Sequence, residues 1–287
     1  MKVDINTKMV TLIGTPLGQS FAARMQNAGY EAAGLNMLYF YTQADSEHLG
    51  EIVAGIRHMN FAGFAVTKPN KVQVLRYLDE LDPLCRKMGT CNTVVKTPEG
   101  RLIGYNTDGV GFYTPLTQEG GVQVDQSVFF CFGGGGAGRA MCSILAYNGA
   151  RKIYITDAFE SCAQSLAEDI NQNFAPIAEF VPYGDFSKLA ACNVVLNASG
   201  VGMGKTIGQT PLPKEYLQPS QFCFDACYNP DKTRFLLDAE EKGCRILNGL
   251  GMSLYQGVAQ VELWSGKKAP VEAMCQELLR ILEEPSE

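Results

Sequence analysis

Phe132-Gly133-Gly134-Gly135-Gly136-Ala137-Gly138-Arg139-Ala140 decides the fold through what surrounds it. The run before it, residues 127–132, is short and apolar and reads as a buried strand. The run after it, residues 140–149, is apolar at helical spacing and closes on Gly149, where a helix C-cap belongs. A second apolar strand over residues 152–156 then ends at Asp157, about twenty residues past the glycines. Strand, glycine turn, helix, strand and acid is the order of a dinucleotide site. Glycines let backbone N–H groups approach a pyrophosphate, and the helix N-terminus adds partial positive charge.

A glycine run alone is a weak sign, because loops use glycine freely. The flanking strands, the helix and the acid supply the specificity. Asp157 carries a further consequence: its carboxylate attracts ribose hydroxyls and repels a 2′-phosphate. Ala158 and Phe159, which follow, offer no guanidinium to bind such a phosphate. The expected cofactor is therefore NAD, with NADP less favoured.

With 287 residues the chain is long enough for two domains of ordinary size. Charged residues at 19% and apolar residues at 46% describe a globular protein rather than a disordered one. A net charge of −6, with no cluster of lysine and arginine, argues against nucleic acid or anionic membrane as partners. No apolar run nears the ~20 residues that span a bilayer. The first residues lack the apolar stretch of a signal peptide, so the expected location is the cytoplasm. The ten cysteines contain no C-x-x-C pair, and several, such as Cys131 and Cys223, sit in apolar runs. The two histidines, His48 and His58, neighbour no cysteine and no tight acidic cluster on this reading, so no metal site is expected.

Strand and helix signals alternate throughout, which predicts an α/β protein. Strands are expected at residues 9–14, 36–41 and 61–66, and helices at 22–33, 46–58 and 72–78. Residues 92–95 and 102–105 read as a hairpin around Pro98-Glu99-Gly100. A helix opening after Asp108-Gly109 would mark a hinge. Residues 194–197 and 222–225 supply later parallel strands, and 253–283 is helical and amphipathic, packing back on the first domain. The expected division is 1–109 plus 253–287 as a substrate domain and 110–252 as a Rossmann-like, doubly wound nucleotide domain, with a cleft between them.

Thr67-Lys68-Pro69-Asn70-Lys71 follows the third strand directly, and Gly104-Tyr105-Asn106-Thr107-Asp108-Gly109 stands at the domain junction. Thr67-x-Pro69-x-Lys71, Asn92-Thr93, Asn106-Thr107-Asp108-Gly109, the glycine loop, Tyr228-Asn229-Pro230 and the stretch from Gly249 to Gln256 together resemble the shikimate/quinate dehydrogenase family. The similarity is greatest to the branch of quinate/shikimate dehydrogenases that accept NAD as well as NADP, and runs from Ile13 to about Leu279.

The resemblance implies that Lys71 and Asp108 form the catalytic pair. Oxidising a secondary alcohol needs hydride loss from carbon and proton loss from oxygen, and an amine can take the proton. It further implies that Asn92 bonds a ring hydroxyl and that Gln256 lies near the substrate. Thr67, Ser20 and Tyr39 would be further substrate contacts, although the aromatic run at Tyr39 equally suits core packing. Tyr228 and Met252 would line the junction of substrate and nicotinamide. Gly133, Gly135, Gly136, Ala137, Asp157, Asn197 and Gly249 would hold the nucleotide. A homodimer or a monomer is implied.

Two departures stand out. The family's carboxylate-binding segment is serine, any residue, serine, whereas Ser20-Phe21-Ala22 keeps only the first. Gln19 and Arg24 are the neighbours that could compensate. Ala65 stands where biosynthetic members often carry asparagine, which the NAD-accepting branch also lacks. The reading is thus an NAD(P)-dependent oxidoreductase that interconverts shikimate or quinate and its 3-dehydro ketone. The alternatives are a dehydrogenase of the same fold with another substrate, because of Ala22, or one like methylene-tetrahydrofolate dehydrogenase.

Overall fold

The computed structural model describes residues 3–17 and 20–284. In chain order the elements are β1 (Lys8–Gly14), α1 (Ala22–Ala32), β2 (Met37–Gln43), α2 (Leu49–His58), β3 (Phe61–Val66), β4 (Glu80–Leu81), α3 (Pro83–Met88), β5 (Thr93–Lys96) and β6 (Leu102–Tyr105). They continue with α4 (Thr107–Gln118), β7 (Val128–Phe132), α5 (Gly136–Tyr147), β8 (Lys152–Thr156), α6 (Glu160–Asn173), β9 (Ala178–Phe180), β10 (Val194–Asn197), β11 (Phe222–Asp225), α7 (Arg234–Glu241), β12 (Arg245–Leu247), α8 (Leu250–Ser265) and α9 (Val271–Glu283). Two compact units result: residues up to Thr107 with those from Leu254 on, and Asp108–Ser253.

The first unit is a sheet in the order β2-β1-β3-β5-β6-β4, in which only β5 runs antiparallel to its neighbours. The chain leaves β1 for β2 on one side and returns to β3 on the other. Loops at the carboxyl ends of β1 and β3 therefore meet at a switch point, where ligands of such sheets bind. Because β5 is reversed, its N-terminal end lies at that same edge, with Thr93 opposite Ala65 and Tyr105. Ile13, Phe64, Val66 and Val94 bury the sheet against Val53 and Ile56 of α2. Trp264 of α8 donates from Nε1 to the Val94 carbonyl at 2.9 Å, fixing that helix over β5.

Local chemistry explains the boundaries. Asp82 caps α3, accepting from Leu84 N at 2.9 Å with Pro83 at the first helical position, and Gly89 at φ +64° ends the helix. Residues 73–77 form a 3-10 turn rather than the helix expected over 72–78, because only Val74 there is buried. Helix α4 begins at Thr107, not after Gly109, because the Asn92 side chain accepts from Thr107 N at 2.8 Å.

The second unit is a six-stranded, all-parallel sheet in the order β12-β11-β10-β7-β8-β9. This is the doubly wound Rossmann order, reversing between β7 and β10. Phe130, Val195, Cys223 and Phe235 fill its core. The ten cysteines are all free thiols, and eight are buried. Among the described residues, no helix is long and apolar enough to cross a membrane.

Candidate active site

The first unit gathers Thr67, Lys71 and Asn92 at one sheet edge. The loop after β3 doubles back on the end of β1: Thr67 N donates to Ile13 O at 2.9 Å and Thr15 N to Lys68 O at 3.0 Å. Gly14 permits this approach, since a Cβ there would stand 2.4 Å from the Thr67 methyl group. Cys91 N donates to Lys71 O at 2.9 Å and Val66 N to Asn92 O at 2.8 Å, tying the loop to the start of β5. The Lys71 loop is also anchored from behind by Asn70, which is buried. Its Nδ2 donates to Ala44 O at 3.0 Å, and its Oδ1 accepts from Ser46 Oγ at 2.9 Å. Sequence reasoning missed Asn70, although an asparagine between a proline and a lysine in a tight loop is a recognisable turn signal.

Asn92 is buried with Thr93 and Thr107. Its Nδ2 donates to Thr107 Oγ1 at 3.0 Å, while its Oδ1 accepts from Thr107 N and, at 2.9 Å, from the Thr93 hydroxyl. Gln256 is half-buried on α8.

The segment after β1 is held by a residue other than those expected. Ser20 Oγ accepts from Ala22 N at 3.4 Å. The Tyr41 hydroxyl donates to Ser20 O at 2.5 Å and accepts from Ala23 N at 3.0 Å. Tyr39, one of the expected substrate contacts, is instead 2% exposed, with its ring 5.9 Å from that of Trp264. Burial pushes its phenol far above the ordinary range. Arg24 does not compensate for Ala22: its guanidinium is bound to Glu277 and Glu284 at 2.8 Å each. Gln19 lies outside the described residues.

In the second unit the loops after β7 and β10 touch at the switch point. Gly133 has φ +109°, and a Cβ on it would stand 2.7 Å from the backbone of Ser199. A Cβ on Gly138 would stand 1.8 Å from Gly133 O, so α5 can press on the loop only as glycine. Gly135 and Gly136, by contrast, are exposed, and among the described residues nothing lies within 4 Å of where a Cβ on either would stand. Bare backbone at the head of a twelve-residue helix, with Ala137 next, is a fit for a pyrophosphate. Asp157 closes β8 beside it, accepting from Gly134 N at 2.7 Å and Phe159 N at 2.8 Å.

Asn197 is fully buried and its amide is taken up internally. Nδ2 donates to Val201 O and Asp225 Oδ1, and Oδ1 accepts from Ser199 Oγ at 2.6 Å. It shapes the loop after β10 rather than presenting its amide to solvent. Asp225, buried at the end of β11, also accepts from Thr233 Oγ1 at 2.5 Å and Cys227 N at 2.9 Å. Burial holds its carboxyl above the ordinary range, and those hydrogen bonds only partly offset this. Tyr228 is half-buried, which pushes its phenol up. Gly249 donates to Cys227 O at 3.1 Å, and a Cβ on it would strike Ala226 O at 2.1 Å. Met252 is half-buried in the first turn of α8, and Asp108 is buried as the second residue of α4.

His48 does have acidic company, contrary to the expectation from sequence. Asp45, Glu47 and His48 place ligand atoms within 4.8 Å of one another, all exposed.

Residues 12–94 match the family described as shikimate dehydrogenase substrate binding domain, and residues 249–279 match the shikimate 5'-dehydrogenase C-terminal domain. A shikimate dehydrogenase (NADP(+)) of Desulforamulus reducens is 38% identical over 277 residues, 95% of each chain. The chain belongs to the shikimate dehydrogenase family. Its fold is that of shikimate dehydrogenase structures, an N-terminal substrate domain with a Rossmann-like nucleotide-binding domain. Among solved structures, the shikimate 5-dehydrogenase of Listeria monocytogenes in complex with shikimate and NAD is similar at a TM-score of 0.92 and 35% identity. The match covers 97% of this chain and 98% of that one. The quinate dehydrogenase of Corynebacterium glutamicum in complex with NAD is similar at 0.89 and 28% identity, covering 96% and 99%.

Proposed function

We propose that this shikimate dehydrogenase family member interconverts shikimate or quinate and the corresponding 3-dehydro ketone, with NAD as its preferred nucleotide. The observation that carries this reading is the gathering of Thr67, Lys71 and Asn92 at one sheet edge, in a chain whose other unit holds the bare-backbone cradle at Gly135 and Gly136.

Lys71 takes the hydroxyl proton from the alcohol on Nζ and returns it in the reverse direction. Asp108, the other member of the catalytic pair, accepts the alcohol's hydrogen bond before that one proton passes to Lys71. Asn92 and Gln256 bond the remaining ring hydroxyls, while Thr67 and Ser20 face the substrate from the loops after β3 and β1. Gly135, Gly136 and Ala137 hold the pyrophosphate, and Asp157 holds the adenosine ribose. When bound, a nicotinamide would take up the hydride that the alcohol carbon loses.

Asp157 supports the NAD preference although the Desulforamulus relative is named for NADP(+). A carboxylate whose two oxygens already accept from Gly134 N and Phe159 N is held in place, and a carboxylate there repels a 2′-phosphate. Incubating the purified protein with shikimate, quinate and related hydroxy acids, each with NAD or NADP, tests both parts. The absorbance of reduced nicotinamide should rise with one of the two named acids, and more efficiently with NAD. No turnover of either acid would remove the substrate assignment. Equal efficiency with NADP would remove the role given to Asp157.

A further inference from the structure

A line of buried amides and hydroxyls crosses the first unit from α1 to Asn92, and its polarity is fixed at both ends by main-chain groups. Gln26 Nε2 donates to Gly257 O at 3.2 Å and to Gln260 Oε1 at 3.0 Å. Gln260 Nε2 donates to Thr93 Oγ1 at 2.9 Å, and the Thr93 hydroxyl donates to Asn92 Oδ1. A carbonyl only accepts, so Gly257 O demands the amino end of Gln26. An amide N–H only donates, so Thr107 N demands the carbonyl end of Asn92. Between these anchors each side-chain amide has one consistent orientation, and the donors run Gln26, Gln260, Thr93, Asn92, Thr107.

The arrangement is a poor way to build a core. None of the five side chains is more than 3% exposed, and among the described residues Gln26 Oε1 has no hydrogen-bond partner. An orphaned buried acceptor opposes folding, and apolar residues of the same shape can replace such a pair at little cost. We propose that Gln260, oriented by Gln26, is a positioning residue that acts through the Thr93 hydroxyl to hold the Asn92 side chain for substrate. The proposal rests on the reading of Asn92 as a substrate contact.

The test uses Gln260→Met and the double variant Gln26→Met/Gln260→Met, which keep length and volume and remove the polar atoms. With shikimate as substrate, KM for shikimate should rise roughly tenfold, the factor that ~1.4 kcal/mol represents. kcat and the KM for NAD should hardly change, and the double variant should melt no lower than the parent. Adding Gln260→Met to Thr93→Val should raise KM no further than Thr93→Val does alone, because both cut the same line. An unchanged KM in both methionine variants, or additive effects with Thr93→Val, overturns the proposal. A readout without substrate separates it from the proposed function. The nitrogen-15 signal of the Asn92 side-chain amide, assigned by its loss in Asn92→Ala, should shift in Gln260→Met. A shift in a protein that turns over neither shikimate nor quinate upholds the positioning and sinks the substrate assignment; an unmoved signal sinks the positioning whatever the activity.

Discussion

Gly134 N donates to Asp157 Oδ2 at 2.7 Å, so the acid that closes β8 also ties down the glycine loop at the end of β7. The same carboxylate accepts from Phe159 N on its other oxygen, which fixes it from both sides. On the proposed function, selection of the nucleotide and the shape of the loop share one side chain. Asp157→Asn keeps the size but can accept only one of the two N–H groups and carries no charge. It should cost about 1–3 kcal/mol of stability. It should also raise the KM for NAD while narrowing the gap to NADP. Melting curves and steady-state kinetics with both nucleotides check this.

Glycines of the same loop should separate folding from binding. A Cβ on Gly138 would collide with Gly133 O, so Gly138→Ala should destabilise by about 1–3 kcal/mol. Gly135 has open space around it, so Gly135→Ala should leave the melting temperature unchanged. Its methyl group would fill the cradle, and the KM for nucleotide should rise roughly tenfold or more. Equal losses of stability in the two variants would contradict these assignments.

Ala22 is the first residue of α1, and its N–H already reaches Ser20 Oγ at 3.4 Å. Arg24, in the first turn of the same helix, is bound to Glu277 and Glu284. A hydroxyl given to a charged oxygen is worth ~1.5–3 kcal/mol, or roughly ten- to hundredfold in affinity. Ala22→Ser should accordingly lower the KM for shikimate, and an unchanged KM would show that no carboxylate sits there.

Asp225 gives a stability signature in pH. Its carboxyl is held above the ordinary 3.8 in the folded chain, so the folded state binds the proton more tightly than the unfolded one. Its contribution therefore falls as pH rises from about the unfolded value through the folded one. Asp225→Asn keeps an acceptor for Asn197 Nδ2 and Cys227 N and does not titrate. Its melting temperature relative to the parent should improve between pH 4 and pH 7, whereas a constant offset would contradict the burial effect.

Much of this was legible in the sequence where a signal was local. β3, β8, β10 and β11 match their expected bounds, because each is a continuous apolar run stopped by a polar or small residue. The glycine loop showed itself through its flanking strands. β4, β9 and β12 have two or three residues each and few buried side chains, so they left no periodic pattern. Tyr39 and Tyr41 share one face of β2, and an aromatic run cannot say which of them is core. Gln26 and Gln260 stand 234 residues apart in the chain, and only the packing of α1 on α8 joins them. Gly257 lies at that packing, and a Cβ on it would stand 2.3 Å from the Met25 methyl group, which would have to move.

The central claim is that Lys71 moves the proton while substrate is held by other groups. Steady-state kinetics of Lys71→Ala with shikimate and NAD test it most directly. The account predicts that kcat falls by about 10²–10⁴-fold with little change in the KM for shikimate. Turnover near that of the parent protein would contradict it.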